Sequence, residues 1–386
     1  MRVRFTEIAR HNLKSMDFIF LLITLVLVAF GLVMVFSASY YSSISVYGTP
    51  FHYLFRDLIW ITIGLFLMAF GFLVDYRFFK KFAFLLMLAS LAALVLVLVV
   101  GATRNGATRW LTVGPISFMP GEWAKMGIIF FMAWFFGEKP IRARRFWVGI
   151  APALAVTAIF AFLIIQQPNL STAITVCGIA VAMMLVAGMS WIYVFITGGV
   201  GAAAFGFIAL FMKDSYWYVR MTNFIDPFKD MYGEGYQVAQ SLLALGSGGV
   251  TGVGLGKSVQ KSLYLPEPQN DFILAIIGEE LGLIGILCLL AVYCLFIWRG
   301  MRIAINAPDR FSMLLSSGVV LMVAIQVILN VAVVTASMPA TGINLPFISY
   351  GGNAIMMFMF AAGMLLNISA HESPQEEPLP GEERIV

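Results

Sequence analysis

The sequence predicts an all-α polytopic integral membrane protein of about ten transmembrane helices, with one long extracytoplasmic loop between the seventh and the eighth. Composition is the first reason. Of 386 residues, 61% are hydrophobic and only 11% charged, where soluble domains carry about 25% charged residues. The mean hydropathy of +0.91 is the second. The third is the recurrence, along the whole chain, of apolar stretches long enough to cross a ~30 Å hydrocarbon core.

The spans follow in order. A short segment, 1–16, precedes an apolar run over 17–39 that ends in Ser37-Ala38-Ser39. That ending resembles a small-x-small cleavage site, but the apolar core is nearer twenty residues than a signal peptide allows, so the span is read as retained. Spans over 57–74 and 82–100 flank Arg77, Lys80 and Lys81. A short span over 121–136 opens with Pro120, Gly121, Glu122 and Lys125, and the basic run Lys139 to Arg145 follows it. Spans over 147–165 and 170–188 are joined by the tight turn Gln166-Gln167-Pro168-Asn169, whose proline and asparagine suit a turn. A span over 192–212 leads into the long loop, 213–270. Its seven aromatics from Tyr216 to Tyr236 argue against disorder, and part of it is expected as amphipathic helix on the membrane surface. The last spans are 271–298, 311–334 and 352–369. Pro339 to Asn353 holds two prolines and three glycines, so a re-entrant turn is expected there. Residues 370–386, rich in proline and glutamate, read as a disordered tail.

With the amino terminus inside, cytoplasmic segments hold most of the 24 Lys and Arg residues, so both termini are placed in the cytoplasm. The net charge of +4 reflects this bias and indicates no nucleic-acid partner. Cys177, Cys288 and Cys294 all fall within spans, and the three histidines are scattered, so neither a disulfide framework nor a thiolate or histidine metal site is indicated. The chain shows no internal repeat, which weighs against a transporter built from inverted halves.

Polar residues collect on the expected outer side. Glu122 and Lys125 share a helix face; they form either a structural ion pair or a pair in which Glu122 holds Lys125 toward an anion. Six glycines between Gly246 and Gly256 precede Lys257 and Lys261. The run Gly252 to Ser258 has one residue too few between its glycines for a nucleotide phosphate loop, although glycine amides could cradle a lipid pyrophosphate. Asp271 stands at the start of the span 271–298, with Glu279 and Glu280 inside it. Acidic groups at membrane depth usually face a cavity and mark function. Glu279 lies about 12 Å deeper than Asp271 and roughly 80° around the helix, so both can border one cavity. Glu280 points nearly opposite, and a structural role suits both glutamates better. By position alone Asp271 fits a helix N-cap and a functional group equally.

These clusters, in this order, resemble the SEDS family (shape, elongation, division and sporulation) of integral-membrane peptidoglycan glycosyltransferases over about residues 15–369. The most specific stretches are Leu265-Pro-Glu-Pro-Gln-Asn-Asp271-Phe-Ile with Gly278-Glu-Glu-Leu-Gly282, and Pro339-x-Thr-Gly342 with Leu345-Pro-Phe-x-Ser349-x-Gly-Gly352. Asn105-Gly-Ala-x-Arg109-Trp110, Glu122-x-x-Lys125, Gln167-Pro168 and Gly235-Tyr-Gln237-x-x-Gln-Ser241 support them. Arg220-Met-Thr-x-Phe, Asp226-Pro227 and the stretch Gly254 to Pro266 look most like the FtsW and SpoVE branch. Met119-Pro-Gly121, Asn169 and Asn353 depart from the family pattern and fit a divergent member.

The resemblance implies lipid II as substrate, joined to a growing glycan with release of undecaprenyl pyrophosphate on the outer face of the bacterial cytoplasmic membrane. It implies Asp271 as general base, and Lys125, Arg220, Lys257 and Lys261 as candidates for the pyrophosphate, with Glu122 orienting Lys125. Arg109, Gln237, Glu267 and Ser349 are the further substrate-site candidates. Cofactor use is left open: Glu267 could share a divalent cation (Mg or Mn) with Asp271. The implied partners are a class B penicillin-binding protein, since no Ser-x-x-Lys arrangement with its companion transpeptidase motifs appears in an outer domain, and other divisome or elongasome membrane proteins. Two rival readings are a lipid II flippase and a non-catalytic scaffold for a transpeptidase.

Overall fold

A computed structural model describes residues 15–104, 107–113, 116–199, 226–229, 233 and 235–371. Its helices are α1 (Phe18–Tyr47), α2 (His52–Leu73), α3 (Tyr76–Val100), α4 (Pro120–Glu138), α5 (Ala151–Ile165), α6 (Leu170–Val186), α7 (Tyr236–Gly248), α8 (Ile273–Ile305), α9 (Arg310–Val334) and α10 (Gly352–Ser369). Among the described residues, seven helices are long and apolar enough to cross a membrane: α1, α2, α3, the helix Phe146–Ile165 that includes α5, α8, α9 and α10. The shorter α6 and the charged α4 join the same bundle. The expected span 192–212 lies outside the described residues beyond 199. The protein is a multi-pass, predominantly helical membrane protein.

Burial follows the membrane logic. Residues facing outward from α2 and α3, such as Phe66 and Val99, are apolar and more than two-thirds exposed, as suits a surface meeting hydrocarbon rather than water. α10 runs through the middle of the bundle, with every residue from Asn353 to Ser369 buried. Caps and ion pairs fasten one end. Asp17 accepts from the Phe20 amide at the head of α1 and pairs with Arg299 of α8 at 2.5 Å. Asp309 forms a capping box with Ser312 on α9 and pairs with Lys80 of α3 at 3.1 Å.

Two features depart from a plain helical bundle. Between α3 and α4 the chain forms a small antiparallel meander, β1 (Ala102–Arg104), β2 (Ala107–Val113) and β3 (Ile116–Phe118), with Thr103 opposite Thr108 and Leu111 opposite Phe118. Its residues are largely β-branched or aromatic, which pack well on a pleated surface. The second departure is a break inside α8 at Gly282, where φ is +68° and ψ −169°. The glycine run docks into that break: the Val253 and Gly254 amides donate to the Glu279 and Glu280 carbonyls at 2.9 and 3.0 Å. The Leu283 and Ile284 amides in turn donate to Gly249 and Val250. A Cβ at Gly282 would collide with the Val250 carbonyl, so the backbones touch only because side chains are absent. The glycine run therefore repairs a broken helix, and the amides of Gly252, Val253 and Gly254 are all engaged by protein carbonyls rather than open to a phosphate. The helix expected on the membrane surface is α7, and it is docked inward, with Ser241 donating to the Val334 carbonyl of α9 at 2.9 Å.

The re-entrant turn is present. From 335 to 351 there is no regular helix. Tyr293 of α8 donates to the Pro346 carbonyl at 2.5 Å, and Gly31, near the middle of α1, abuts the Phe347 carbonyl. Irregular backbone is tolerated at this depth because protein surrounds it.

Candidate active site

Asp271 lies in a turn two residues before α8. Phe272 holds the N-cap position, so Asp271 precedes the cap rather than forming it. The 339–353 segment braces this turn. Tyr350 donates its amide to the Gln269 carbonyl at 2.9 Å, and Ser349 Oγ donates to the Asn270 carbonyl at 2.7 Å. From α9, Asn330 Nδ2 donates to the Asp271 carbonyl at 2.8 Å and to the Ile343 carbonyl at 2.7 Å. One buried amide thus clips the turn and the re-entrant segment together. The Asp271 carboxylate is half-buried and packs against Gly342, where a Cβ would stand 3.0 Å from Oδ2. With φ at +74°, Gly342 is in a conformation that favours glycine on backbone grounds as well.

One helical turn from Asn330 on α9 is Gln326, whose Oε1 accepts from Lys125 Nζ at 3.2 Å. Lys125 also donates to Glu122 Oε2 at 2.7 Å, and its ammonium lies 5.7 Å from the centre of the Phe358 ring. Four residues of helix rise about 6 Å, so a single face of α9 links the Lys125–Glu122 pair to the Asp271 turn. Lys125 is 2% exposed; an ammonium so deep needs its carboxylate, and the pair supplies a directed donor rather than a full free charge. On this face Gln326 Nε2 and Asn330 Oδ1 are buried without a partner among the described residues, as is Thr341 Oγ1 in the re-entrant segment. Asn330 and Gln326 carry the same signal in sequence, an isolated amide inside an apolar span, four residues apart on one helix face.

The remaining candidates divide. Ser349 serves the site as a brace. Arg109, on β2, donates from Nε to the Gln167 carbonyl at 3.1 Å and from its guanidinium to the Pro168 carbonyl, clasping the turn before α6. Gln167 donates in turn to the Leu94 carbonyl, and Asn169 caps α6. Gln237 sits half-buried in the first turn of α7, and Lys257 is exposed in the loop after the glycine run. Glu267, exposed, accepts from Gln269 Nε2 at 3.1 Å and Asn270 Nδ2 at 2.9 Å, so it orders the turn beside Asp271. Arg220 lies outside the described residues. Among the described residues no three His, Cys, Asp or Glu side chains converge as a metal site.

Lys261 goes elsewhere. Its Nζ lies 2.6 Å from Glu280 Oε1 and 3.0 Å from Ser37 Oγ of α1, and the pair is almost wholly buried. Its ammonium is thus engaged in an internal ion pair with groups on α1 and α8. Glu279 accepts from the Ser258 hydroxyl and from the Val259 amide at 2.9 Å. The two glutamates thus hold the 258–261 loop against the broken helix.

Against known proteins, the family model described as cell cycle protein, covering FtsW, RodA and SpoVE, matches residues 17–374. Stage V sporulation protein E of Bacillus subtilis (strain 168) is 41% identical over 360 residues, covering 92% of this chain and 98% of that protein. A probable peptidoglycan glycosyltransferase FtsW of Trichlorobacter lovleyi is 37% identical over 362 residues, covering 93% and 94%. Among solved structures, a chain from a peptidoglycan synthase complex, in work on the coordination of polymerization and crosslinking, superposes with a TM-score of 0.76 at 26% identity, over 92% of this chain and 98% of that one. The rod shape determining protein RodA of Thermus thermophilus superposes with a TM-score of 0.67 at 28% identity, over 92% and 97%. Sequence and fold agree over nearly the whole chain: it belongs to the FtsW/RodA/SpoVE family of cell cycle proteins, on the FtsW and SpoVE branch.

Proposed function

We propose that this protein is a peptidoglycan glycosyltransferase that polymerises lipid II, with Asp271 as general base. The observation that carries the reading is the Asp271 turn itself: a half-buried carboxylate against Gly342, its backbone clipped by Asn330 and braced by Ser349 and Tyr350. A carboxylate held this way suits proton abstraction from a sugar hydroxyl, a poor nucleophile that needs a positioned base. The acceptor 4-hydroxyl gives its proton to Asp271 as its oxygen bonds to the anomeric carbon of the growing chain. The bond from that carbon to the pyrophosphate breaks, undecaprenyl pyrophosphate departs, and the centre inverts. Pyrophosphate leaves readily without the second carboxylic acid of a glycosidase. It needs donors instead. Two of the three Lys125 donors go to Glu122 and Gln326, leaving the third for a phosphate oxygen.

On this reading residues 17–369 form a ten-span domain in the bacterial cytoplasmic membrane, with 1–16 and the 370–386 tail cytoplasmic and 213–270 outside. A class B penicillin-binding protein cross-links the product; the likeness to a chain of a peptidoglycan synthase complex supports such a partner. The decisive experiment gives purified protein labelled lipid II and resolves glycan strands on a gel. Asp271→Asn keeps the size of the side chain and is expected to lower polymerisation by at least ~10²; normal strand synthesis by that variant would refute the assignment.

A further inference from the structure

Asp57 faces inward one turn into α2, is 2% exposed, and its Oδ1 has no hydrogen-bond partner among the described residues. An unpaired carboxylate at membrane depth marks a functional site by default. It is not isolated. Tyr53, four residues earlier on the same face, meets the Tyr350 ring edge-on at 5.1 Å. Tyr350 belongs to the segment bracing Asp271, and its amide donates to the Gln269 carbonyl at 2.9 Å. Gln269 Oε1 and Asn270 Oδ1 are likewise buried without a donor. Their amide orientation is settled by Glu267 Oε2, which takes the NH2 group of each. Arg56 and Asp57 both lie within electrostatic reach of Tyr350.

We infer that the lip formed by Tyr53, Tyr350, Gln269 and Asn270, with Asp57 beside it, is a saccharide subsite that seats a sugar ring of the lipid-linked glycan next to the reacting bond. The inference rests on the glycosyltransferase reading of Asp271. Three buried acceptor oxygens without donors call for a ligand rich in donors, and sugar hydroxyls and acetamido N–H groups are such donors. The tyrosine rings offer apolar faces for the sugar's own apolar face. Unpartnered acceptors favour a donor-rich sugar ring over a phosphate oxygen, which is itself an acceptor.

The test compares binding of lipid II with binding of undecaprenyl pyrophosphate, which lacks the sugars, to the full chain in detergent. Asp57→Leu removes a buried carboxyl group with an unpartnered oxygen and is expected to raise thermal stability while weakening lipid II binding about tenfold or more. Tyr350→Phe keeps the ring and is expected to weaken lipid II in the same direction. Binding of undecaprenyl pyrophosphate should be unchanged in both variants. Unaltered lipid II affinity in both, or an equal loss for the two lipids, would overturn the subsite. So would wild-type lipid II binding that chelation abolishes, which would give the acceptors to a divalent cation. Because binding is read without turnover, a polymerising Asp271→Asn variant would strike the catalytic reading and leave this measurement standing.

Discussion

Replacing Lys261 with Met takes the cation out of a pair whose side chains are 3% and 0% exposed. Glu280 would keep only the Ser37 hydroxyl, now 2.7 and 2.8 Å from its two oxygens. A hydroxyl donates one proton, so one carboxylate oxygen would be left buried and unsatisfied. Breaking a buried pair from one side costs about 3–5 kcal/mol. In detergent the apparent Tm of Lys261→Met should fall on the order of 5 °C or more. The double variant Lys261→Met/Glu280→Leu removes both charges together and should recover most of that loss, since buried pairs replaced by apolar groups are often near neutral. Thermal unfolding of the wild type, both single variants and the double variant closes the cycle, and strand synthesis is measured alongside. A Lys261→Met protein that melts like the wild type but no longer polymerises lipid II would refute the reasoning, because Lys261 would then be a substrate cation.

Gly342→Ala places a methyl 3.0 Å from Asp271 Oδ2 at a backbone φ of +74°; activity should drop about tenfold or more with the fold retained, and a fully active variant would show that the carboxylate position is not critical. Lys125→Met breaks a pair whose side chains are 3% and 10% exposed, so it should cost stability as Lys261→Met does, but it should also lower turnover of the folded protein well below its melting temperature; normal turnover there would make the Glu122 pair purely structural. Asp309→Ala should cost about 1 kcal/mol of stability through the lost cap and leave polymerisation intact, as read by melting and gel assay. Burial opposes ionisation of Asp309, but the Ser312 amide and Lys80 outweigh it and hold its carboxyl below the ordinary value. Its contribution is therefore complete above the ordinary carboxylate range and lost as pH falls through the lower folded value; wild type and Asp309→Ala should converge in Tm at acid pH.

Sequence by itself determined the helical membrane architecture and most span positions, because hydrocarbon thickness and the need to satisfy every backbone group leave few alternatives. It also determined where the polar chemistry lies, since a carboxylate or lysine inside an apolar run is conspicuous. Asp271, Glu122 and Lys125 were legible for that reason, and the stretch after Pro339 through its prolines and glycines. Tertiary structure decided which polar groups meet. Lys261 and Lys125 are both lysines near the expected outer edge, yet Lys261 turns to Glu280 and Ser37 while Lys125 joins Gln326 on the face of α9 that carries Asn330. No local pattern separates them, because each partner is supplied by a helix distant in sequence. The glycine run is the same case. Its composition suits a phosphate cradle or a flexible loop, and only the break at Gly282, with free carbonyls waiting at Glu279 and Glu280, makes it a backbone clip. Asp57 at the start of a span carries no such signal, since its lack of a partner among the described residues is a property of the packed bundle and of nothing within α2.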